Sequence, residues 1–512
     1  MIEVEVHRSL LNFLRSQNEP HWPHNLTMAR LVARALRLGR SALIQTGSPP
    51  GSHNQQYQLS YLVPILMWPQ KTILVAPQSV QEHLLKVEIP KLLASNLYSS
   101  LSLPNKAIQT YPQQDSDFNG LLLITPEAWL INQWENEQFS LGIPTIIDWA
   151  DDLEAWVQNY LTTSFLSADW NQLMQVYSDR ADFIREARIN LTRSLFQHPA
   201  NPYSCYLIEQ DEEQILQNLI ERLSLTPTNK ELHRNNLNKD FWFKWQSDGQ
   251  LRWAEIHRQR GSFSLYCTPC DLSEALNNIW TQQTVVIIGG ALDLEAKAST
   301  YRKMMGLGDL TCVKFSPDRR NEMIQLYLPN GLPMPNTPKF QEALIQEIRT
   351  LLYISSSAVD GLIAIVIGDV PLKAQVGAIL ASEFGSRVQV ETTSPGVQGI
   401  LITGWEFWHK HQRELKAPKL LIIATLPLPS LENPLVSGRV NFYKQRGLDW
   451  FRLYLLPKAL QELQRSIASV REYQGVVALL DSRVIRRSYG KQVLAALSPF
   501  AKIDYLDTTW LT

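Results

Sequence analysis

Short, unbroken apolar runs that follow turn signals and precede helical stretches constrain this chain most. A first set is Ser41-Ala-Leu-Ile-Gln, Lys71-Thr-Ile-Leu-Val-Ala, Gly120-Leu-Leu-Leu-Ile-Thr and Pro144-Thr-Ile-Ile-Asp. A second is Thr284-Val-Val-Ile-Ile, Gly361-Leu-Ile-Ala-Ile-Val-Ile, Gly399-Ile-Leu-Ile-Thr, Lys419-Leu-Leu-Ile-Ile-Ala and Gly475-Val-Val-Ala-Leu-Leu-Asp. A strand whose every side chain is apolar has to be covered on both faces, as in a parallel sheet flanked by helices. Strand and helix in alternation build βαβ units. The pattern therefore predicts an α/β chain with two parallel-sheet halves. Residues 151–283 read differently. Helical periodicity (Asp182-Phe-Ile-Arg-Glu-Ala-Arg, Gln214-Ile-Leu-Gln-Asn-Leu-Ile-Glu-Arg-Leu) gives way to Phe241-Trp-Phe-Lys-Trp, Asp248-Gly249 and Leu251-Arg-Trp, which reads as a hairpin. This predicts a mostly helical insertion at 151–283 in a first lobe made of 1–150 and 284–328. The Pro-rich stretch 329–338 reads as a linker to a second lobe, 329–512.

Composition narrows the class. The chain has 512 residues, 45% hydrophobic and 19% charged, a globular balance. With 48 Lys and Arg against 49 Asp and Glu, any nucleic-acid site has to be a local patch. Four Cys exclude a disulfide-built scaffold and suit a reducing cytoplasm, the expected location. No apolar run approaches the roughly 18 residues that cross a bilayer, and the acids in Met1-Ile-Glu-Val-Glu-Val are wrong for a signal peptide. No membrane role is expected.

Two α/β halves invite a search for a phosphate loop. Thr46-Gly-Ser-Pro-Pro-Gly-Ser-His53 follows the first run and keeps the spacing at Thr46, Gly47, Gly51, Ser52 and His53. Ser52 stands where a Lys should reach the phosphates, and His53 where a hydroxyl should hold Mg²⁺. Pro49 and Pro50 supply no backbone N–H. Taken alone, this is a Gly/Pro turn.

Other segments give it a context. Ile146-Ile-Asp-Trp-Ala-Asp-Asp-Leu-Glu154 resembles the Asp-Glu-Ala-His box of helicases. Leu121-Leu-Leu-Ile-Thr-Pro-Glu-Ala-Trp-Leu130 resembles the strand and helix preceding that box in the DinG/XPD branch of superfamily 2. Phe407-Trp408 resembles the start of a Phe-Trp-Glu-Gly-Val-Asp motif, and Leu426-Pro-Leu-Pro-Ser-Leu-Glu-Asn-Pro434 a Leu-Pro-Phe-x-x-Pro-x-x-Pro segment. Tyr454-Leu-Leu-Pro-Lys-Ala459, with Leu463, Gln464 and Arg471, resembles the last helicase motif and its approach; Asp481-Ser-Arg483 and Tyr489-Gly490 resemble the closing strand and helix. Pro269-Cys-Asp-Leu-Ser273 and Gly289-Gly-Ala-Leu292 fall where the family enters its third motif. The resemblance covers 25–155 and 265–500. It implies two RecA-like lobes with an arch-like insertion in the first, ATP and Mg²⁺ between the lobes, and ATP hydrolysis coupled to DNA strand separation in repair. It assigns Asp148 to Mg²⁺, Asp151 to the last position of the box, and Gln464 and Arg471 to the nucleotide from the second lobe.

The departures fall on those positions. Trp149 replaces the water-polarising Glu, and an indole cannot act as a general base. Asp151 replaces the His. The third motif's Thr-Ser-Ala-Thr becomes Gly289, Gly290, Ala291 and Leu292, and Ala468 replaces the first of two arginines. His409, Lys410 and Gln412 replace the Glu, Gly and Asp of the Phe-Trp motif. An arginine finger alone supplies a factor of about 10³–10⁵. The expectation is a helicase-shaped protein with little or no ATPase activity, ATP and Mg²⁺ being cofactors only if activity survives. A working ATP-dependent helicase and a non-enzymatic interaction scaffold are the alternatives.

Some relatives carry a four-Cys iron–sulfur cluster between loop and box; residues 54–147 contain no Cys, so none is expected. Cys267-Thr-Pro-Cys270 has metal-ligand spacing without a second pair and reads as two buried thiols, so no metal site is assigned. Single-stranded DNA is the candidate partner. Arg30, Arg34, Arg37 and Arg40 recur at helical spacing between cap candidates Asn25 and Thr27 and a stop at Gly39; Arg483, Arg486 and Arg487 form a second cluster. Each is either a solvated face or a phosphate contact. Trp242 and Trp245 either stack on bases or fill a core.

Overall fold

The computed structural model describes residues 2–17, 21–49, 56–94, 106–111, 118–135, 141–225, 239–317, 319–356, 361–396 and 398–505. The apolar runs form the strands β1 (Ala42–Gln45), β2 (Thr72–Val75), β4 (Leu121–Ile124), β5 (Thr145–Ile147), β10 (Val285–Gly289), β13 (Ile363–Val366), β15 (Ile400–Thr403), β16 (Leu420–Ile423) and β17 (Val476–Leu479), buried along their whole length. Shorter, more polar strands complete two sheets: β3 (Ile108–Thr110), β11 (Thr311–Lys314), β12 (Ile324–Tyr327), β14 (Val388–Val390) and β18 (Phe500–Ile503). The first sheet runs β11-β1-β10-β5-β2-β4-β3 and the second β14-β15-β13-β16-β17-β12-β18; every pairing in both is parallel. Helices cover both faces, and each buried Leu or Ile contributes roughly 1.5–3 kcal/mol. Among the described residues no helix is long and apolar enough to cross a membrane.

The domain boundaries move. β12 belongs to the second sheet, between β17 and β18, so the crossing between lobes lies at 315–323. The Pro-rich stretch 329–338 is a loop of the second lobe, its Pro333 carbonyl accepting from Ser482 Oγ at 2.9 Å. The helices Leu153–Leu161 and Ser273–Gln282 pack into the first lobe, where Leu153, Val157, Leu276 and Ile279 share a core with Leu43 and Ile73. The insertion proper therefore spans 163–269, and beside its helices it holds a sheet that the sequence predicts only in part. Helices lie against an antiparallel sheet of β6 (Thr163–Phe165), β9 (Ser262–Pro269), β8 (Gln250–His257) and β7 (Cys205–Leu207). The hairpin is β8–β9. The aromatic segment before it is the helix Lys239–Gln246, and Asp248-Gly249 is the turn from helix to strand, with Gly249 at φ +73°.

Three helices frame the first lobe's outer side: α1 (Ile2–Gln17), α2 (Asn25–Leu38) and α3 (Gln58–Met67). Gly39 ends α2 in the left-handed region (φ +59°), as its position predicts. Asn25 does not cap the helix. It is buried, and its Oδ1 accepts from Ser60 Oγ on α3 at 2.6 Å.

Candidate functional site

In an open parallel sheet, ligand sites form beyond the carboxyl ends of the strands. The segments following β1, β5, β10 and β11 converge there, facing the second lobe across a cleft of about 410 Å³. Ser48, Pro49, Gly290 and Lys314 line it from the first lobe, Gln464, Ala468 and Arg471 from the second.

The phosphate loop is described through Pro49; Gly51, Ser52 and His53 lie outside the described residues. Its first amides are already engaged: Thr46 N donates to Gly289 O at 2.8 Å and Gly47 N to Gly290 O at 3.1 Å. A Cβ on Gly290 would lie 2.1 Å from Pro49 Cα. The Gly289-Gly290 pair thus has a steric role that the loss of hydroxyls does not reveal: any side chain at 290 would collide with the loop.

Asp148, at the end of β5, is fully buried. Its Oδ1 accepts from Tyr57 Oη at 3.0 Å and from Trp149 N at 2.9 Å, and its Oδ2 from Tyr61 Oη at 2.7 Å. Burial pushes its pKa up to about 6, partly offset by those hydrogen bonds. The two tyrosines come from the start of α3, which begins well after the loop. Both oxygens of Asp148 are therefore taken by hydroxyl donors and closed to solvent, so the described residues do not fit a bound Mg²⁺.

Beyond Asp148 the box turns towards structure. Trp149 is held at φ +61°, a conformation that costs a non-Gly residue of order 1–3 kcal/mol, and the Arg413 guanidinium lies 5.1 Å from the centre of its ring. Asp151 accepts from Gly290 N at 2.7 Å and Ala291 N at 2.8 Å, tying the box to the third motif; burial raises its pKa. Asp152 meets Arg465 of the second lobe at 2.5 Å. Glu154, only 5% exposed, meets Arg439 at 3.2 Å and Lys458 at 2.5 Å, both from the second lobe. Burial would raise the Glu154 pKa, but the two cations outweigh it and hold its carboxyl below the ordinary range. Box residues thus clasp the two lobes.

Gln464 stands on the cleft wall. Arg471 is spent inside the second lobe: its guanidinium donates to Glu322 O at 2.9 Å, Leu497 O at 2.8 Å and Pro499 O at 3.1 Å, and burial lowers its pKa to about 10. Lys314, which sequence reasoning missed, donates to Asp293 O and Leu294 O, both at 2.8 Å, beside the loop. Its position at the end of a polar edge strand hid it.

Trp242 and Trp245 are 1% exposed, with Phe165 4.9 Å from the Trp242 ring, so no base reaches them. Cys267 is buried and 3.1 Å from Thr163 Oγ1; no group of three or more metal-ligating side chains gathers among the described residues. Arg483 is committed to Asp481 (2.6 Å), leaving Arg486 and Arg487 exposed. Arg30, Arg34, Arg37 and Arg40 are all exposed; Arg37 pairs with Glu3 of α1 at 2.7 Å. Because α2 ends just before β1 starts, Arg40 lies at the opposite end of the sheet from the cleft. A different aromatic and basic cluster lies where insertion root, first lobe and second lobe meet. There Arg446 is 3.9 Å from the centre of the Phe442 ring and Lys444 5.4 Å from that of Trp450, with Lys303 across a groove of about 140 Å³. The spacing Phe442-Tyr-Lys-Gln-Arg446 followed by Trp450-Phe-Arg452 was a readable signal for it.

Comparison with known proteins fits this picture. Residues 414–500 match the helicase C-terminal domain family. The chain is 23% identical over 270 residues to the ATP-dependent DNA helicase YoaA of Haemophilus influenzae, covering 49% of this chain and 40% of that one. It is 21% identical over 274 residues to the ATP-dependent DNA helicase DinG of Photobacterium profundum, covering 49% and 40%. The matched stretch thus spans well under half of these relatives' length. Among solved structures, an XPD helicase superposes with a TM-score of 0.58 at 12% identity, covering 94% of this chain and 99% of that one, and Xpd4 of S. tokodaii with 0.57 at 13%, covering 94% and 99%. The chain thus carries a helicase C-terminal domain at 414–500, resembles the helicases DinG and YoaA in sequence over about half its length, and shares the fold of XPD.

Proposed function

We propose that this homologue hydrolyses ATP little or not at all and serves as a closed, two-lobed holder of single-stranded nucleic acid. The observation that carries the first half is the enclosure of Asp148 by Tyr57 and Tyr61. Phosphoryl transfer depends on positioned charge around the phosphates, and the groups in the expected places are committed elsewhere: Asp148 to tyrosines, Arg471 to carbonyls, the first loop amides to the third motif. Trp149 offers no base. The second half rests on the Phe442, Lys444, Arg446 and Trp450 cluster, where half-exposed rings alternate with exposed cations, the composition that stacks bases and tracks phosphates.

The test is fluorescence anisotropy of a labelled oligothymidylate on the full chain. Binding should weaken with salt and fall about tenfold or more in Lys444→Glu/Arg446→Glu, since two cations that neutralise phosphates become anions that repel them. Failure of the wild type to bind at low salt would leave a protein scaffold as the function.

A further inference from the structure

The first sheet ends at β11 with nothing paired beyond it. Thr311 N and Phe315 N donate inward to the carbonyls of Ser41 and Gln45, at 3.3 and 2.8 Å. Successive residues of a strand turn their backbone groups to opposite sides, so the N–H and C=O of Cys312 and the N–H of Lys314 point out from the edge. Among the described residues they have no backbone partner. Thr311 is exposed, and Cys312, Val313 and Lys314 are half-buried.

A groove of about 290 Å³ remains on that side, floored by Leu31, Ala35, Ile44 and Val313 and rimmed by Arg34 and Arg40. Leu38, 40% exposed, adds apolar surface at its end. Neither rim arginine is paired with a carboxylate among the described residues, although Arg37, one turn away, is. Unpaired edge strands are normally shortened, charged along the edge or covered, because they recruit other strands. This one combines open ladder groups, an apolar floor and unpaired cations within a few residues.

We propose that β11 and α2 form a docking groove for an extended, acidic segment of a partner protein. The segment adds a strand alongside Thr311–Lys314, sets apolar side chains against Leu31, Leu38 and Val313, and places carboxylates at Arg34 and Arg40. Backbone pairing supplies affinity and the alternating side chains supply selection. The arginines lie at the far end of the sheet from the cleft and flank an apolar channel, which favours a peptide over a phosphate backbone. This surface is independent of the nucleic-acid reading above.

The test uses the full chain and a fluorescein-labelled decapeptide of alternating Glu and Val. It should bind, and its addition should slow amide hydrogen exchange at Cys312 and Lys314. The same peptide with two central prolines, unable to donate to the ladder, should bind about tenfold or more weakly. Arg34→Glu/Arg40→Glu should weaken binding by a similar factor; both side chains are exposed, so the fold should survive, and unchanged circular dichroism checks this. No binding, indifference to the prolines, or unchanged exchange at Cys312 and Lys314 would overturn the proposal. So would a double variant that loses oligothymidylate binding while keeping the peptide, which would assign the arginines to nucleic acid.

Discussion

Replacing Glu154 with Gln tests the clasp between the lobes. Glu154 and Arg439 are 5% and 7% exposed, at 3.2 Å, and Lys458 closes on the other carboxylate oxygen at 2.5 Å. At an effective dielectric of about 20, a pair at this distance attracts by roughly 4–5 kcal/mol, against several kcal/mol of desolvation. The intact cluster is therefore worth little net, but breaking it is costly. Gln keeps the volume and can still accept from Arg439, yet its amide N–H₂ faces the Lys458 ammonium, donor against donor, and the buried guanidinium loses its counter-charge. Among the described residues Arg439 Nε and Nη2 already lack hydrogen-bond partners, and the Tyr454 ring, 5.6 Å from the guanidinium, carries no counter-charge at neutral pH. The expected loss is about 3–5 kcal/mol in equilibrium urea unfolding at neutral pH. Removing both partners, Glu154→Leu with Arg439→Leu, should cost much less than the sum of the singles, a coupling of about 2 kcal/mol or more. A Glu154→Gln protein within about 0.5 kcal/mol of wild type, or additive single effects, would refute the clasp.

Arg471→Ala should destabilise by roughly 2–4 kcal/mol, since three carbonyls lose a charged donor, and Arg471→Lys should not restore it; thermal unfolding reads both. Trp242→Ala should cost about 3–5 kcal/mol as a core truncation, while oligothymidylate affinity, measured where the variant is folded, stays unchanged. Asp148 gives a pH signature: its pKa is raised in the folded chain to about 6, so the native state holds the proton more tightly than the unfolded one. Its contribution to stability is present at low pH and falls by up to roughly 3 kcal/mol as pH rises from about 4 through 6. Asp148→Asn should abolish that component in urea titrations across this range; a wild-type and variant difference independent of pH would contradict the burial argument. Glu154, its carboxyl held low, acts in the opposite sense, losing its contribution as pH falls below the ordinary carboxylate range.

The central strands were legible because burial on both faces demands unbroken apolar runs, as in Leu121–Ile124 or Leu420–Ile423. The edge strands were not. Thr311-Cys-Val-Lys and Val388-Gln-Val are exposed on one side and carry no such mark, and missing β12 displaced the boundary between the lobes. Trp242 and Trp245 illustrate a second limit: an aromatic run of five residues fits a strand's alternation or a helix's buried face, and length alone could not arbitrate. At the site, the motif positions were legible but their present partners were not. That Tyr57 and Tyr61 reach Asp148, or that Glu154 faces Arg439 and Lys458, depends on how two lobes pack, and no local spacing encodes it.

Steady-state ATP hydrolysis by the full chain, with and without single-stranded DNA, in wild type and Asp148→Ala side by side, bears most directly on whether the motor is silent. The same background rate is expected in all four conditions. A DNA-stimulated turnover that disappears in Asp148→Ala would mean that the tyrosine enclosure opens and the motor runs.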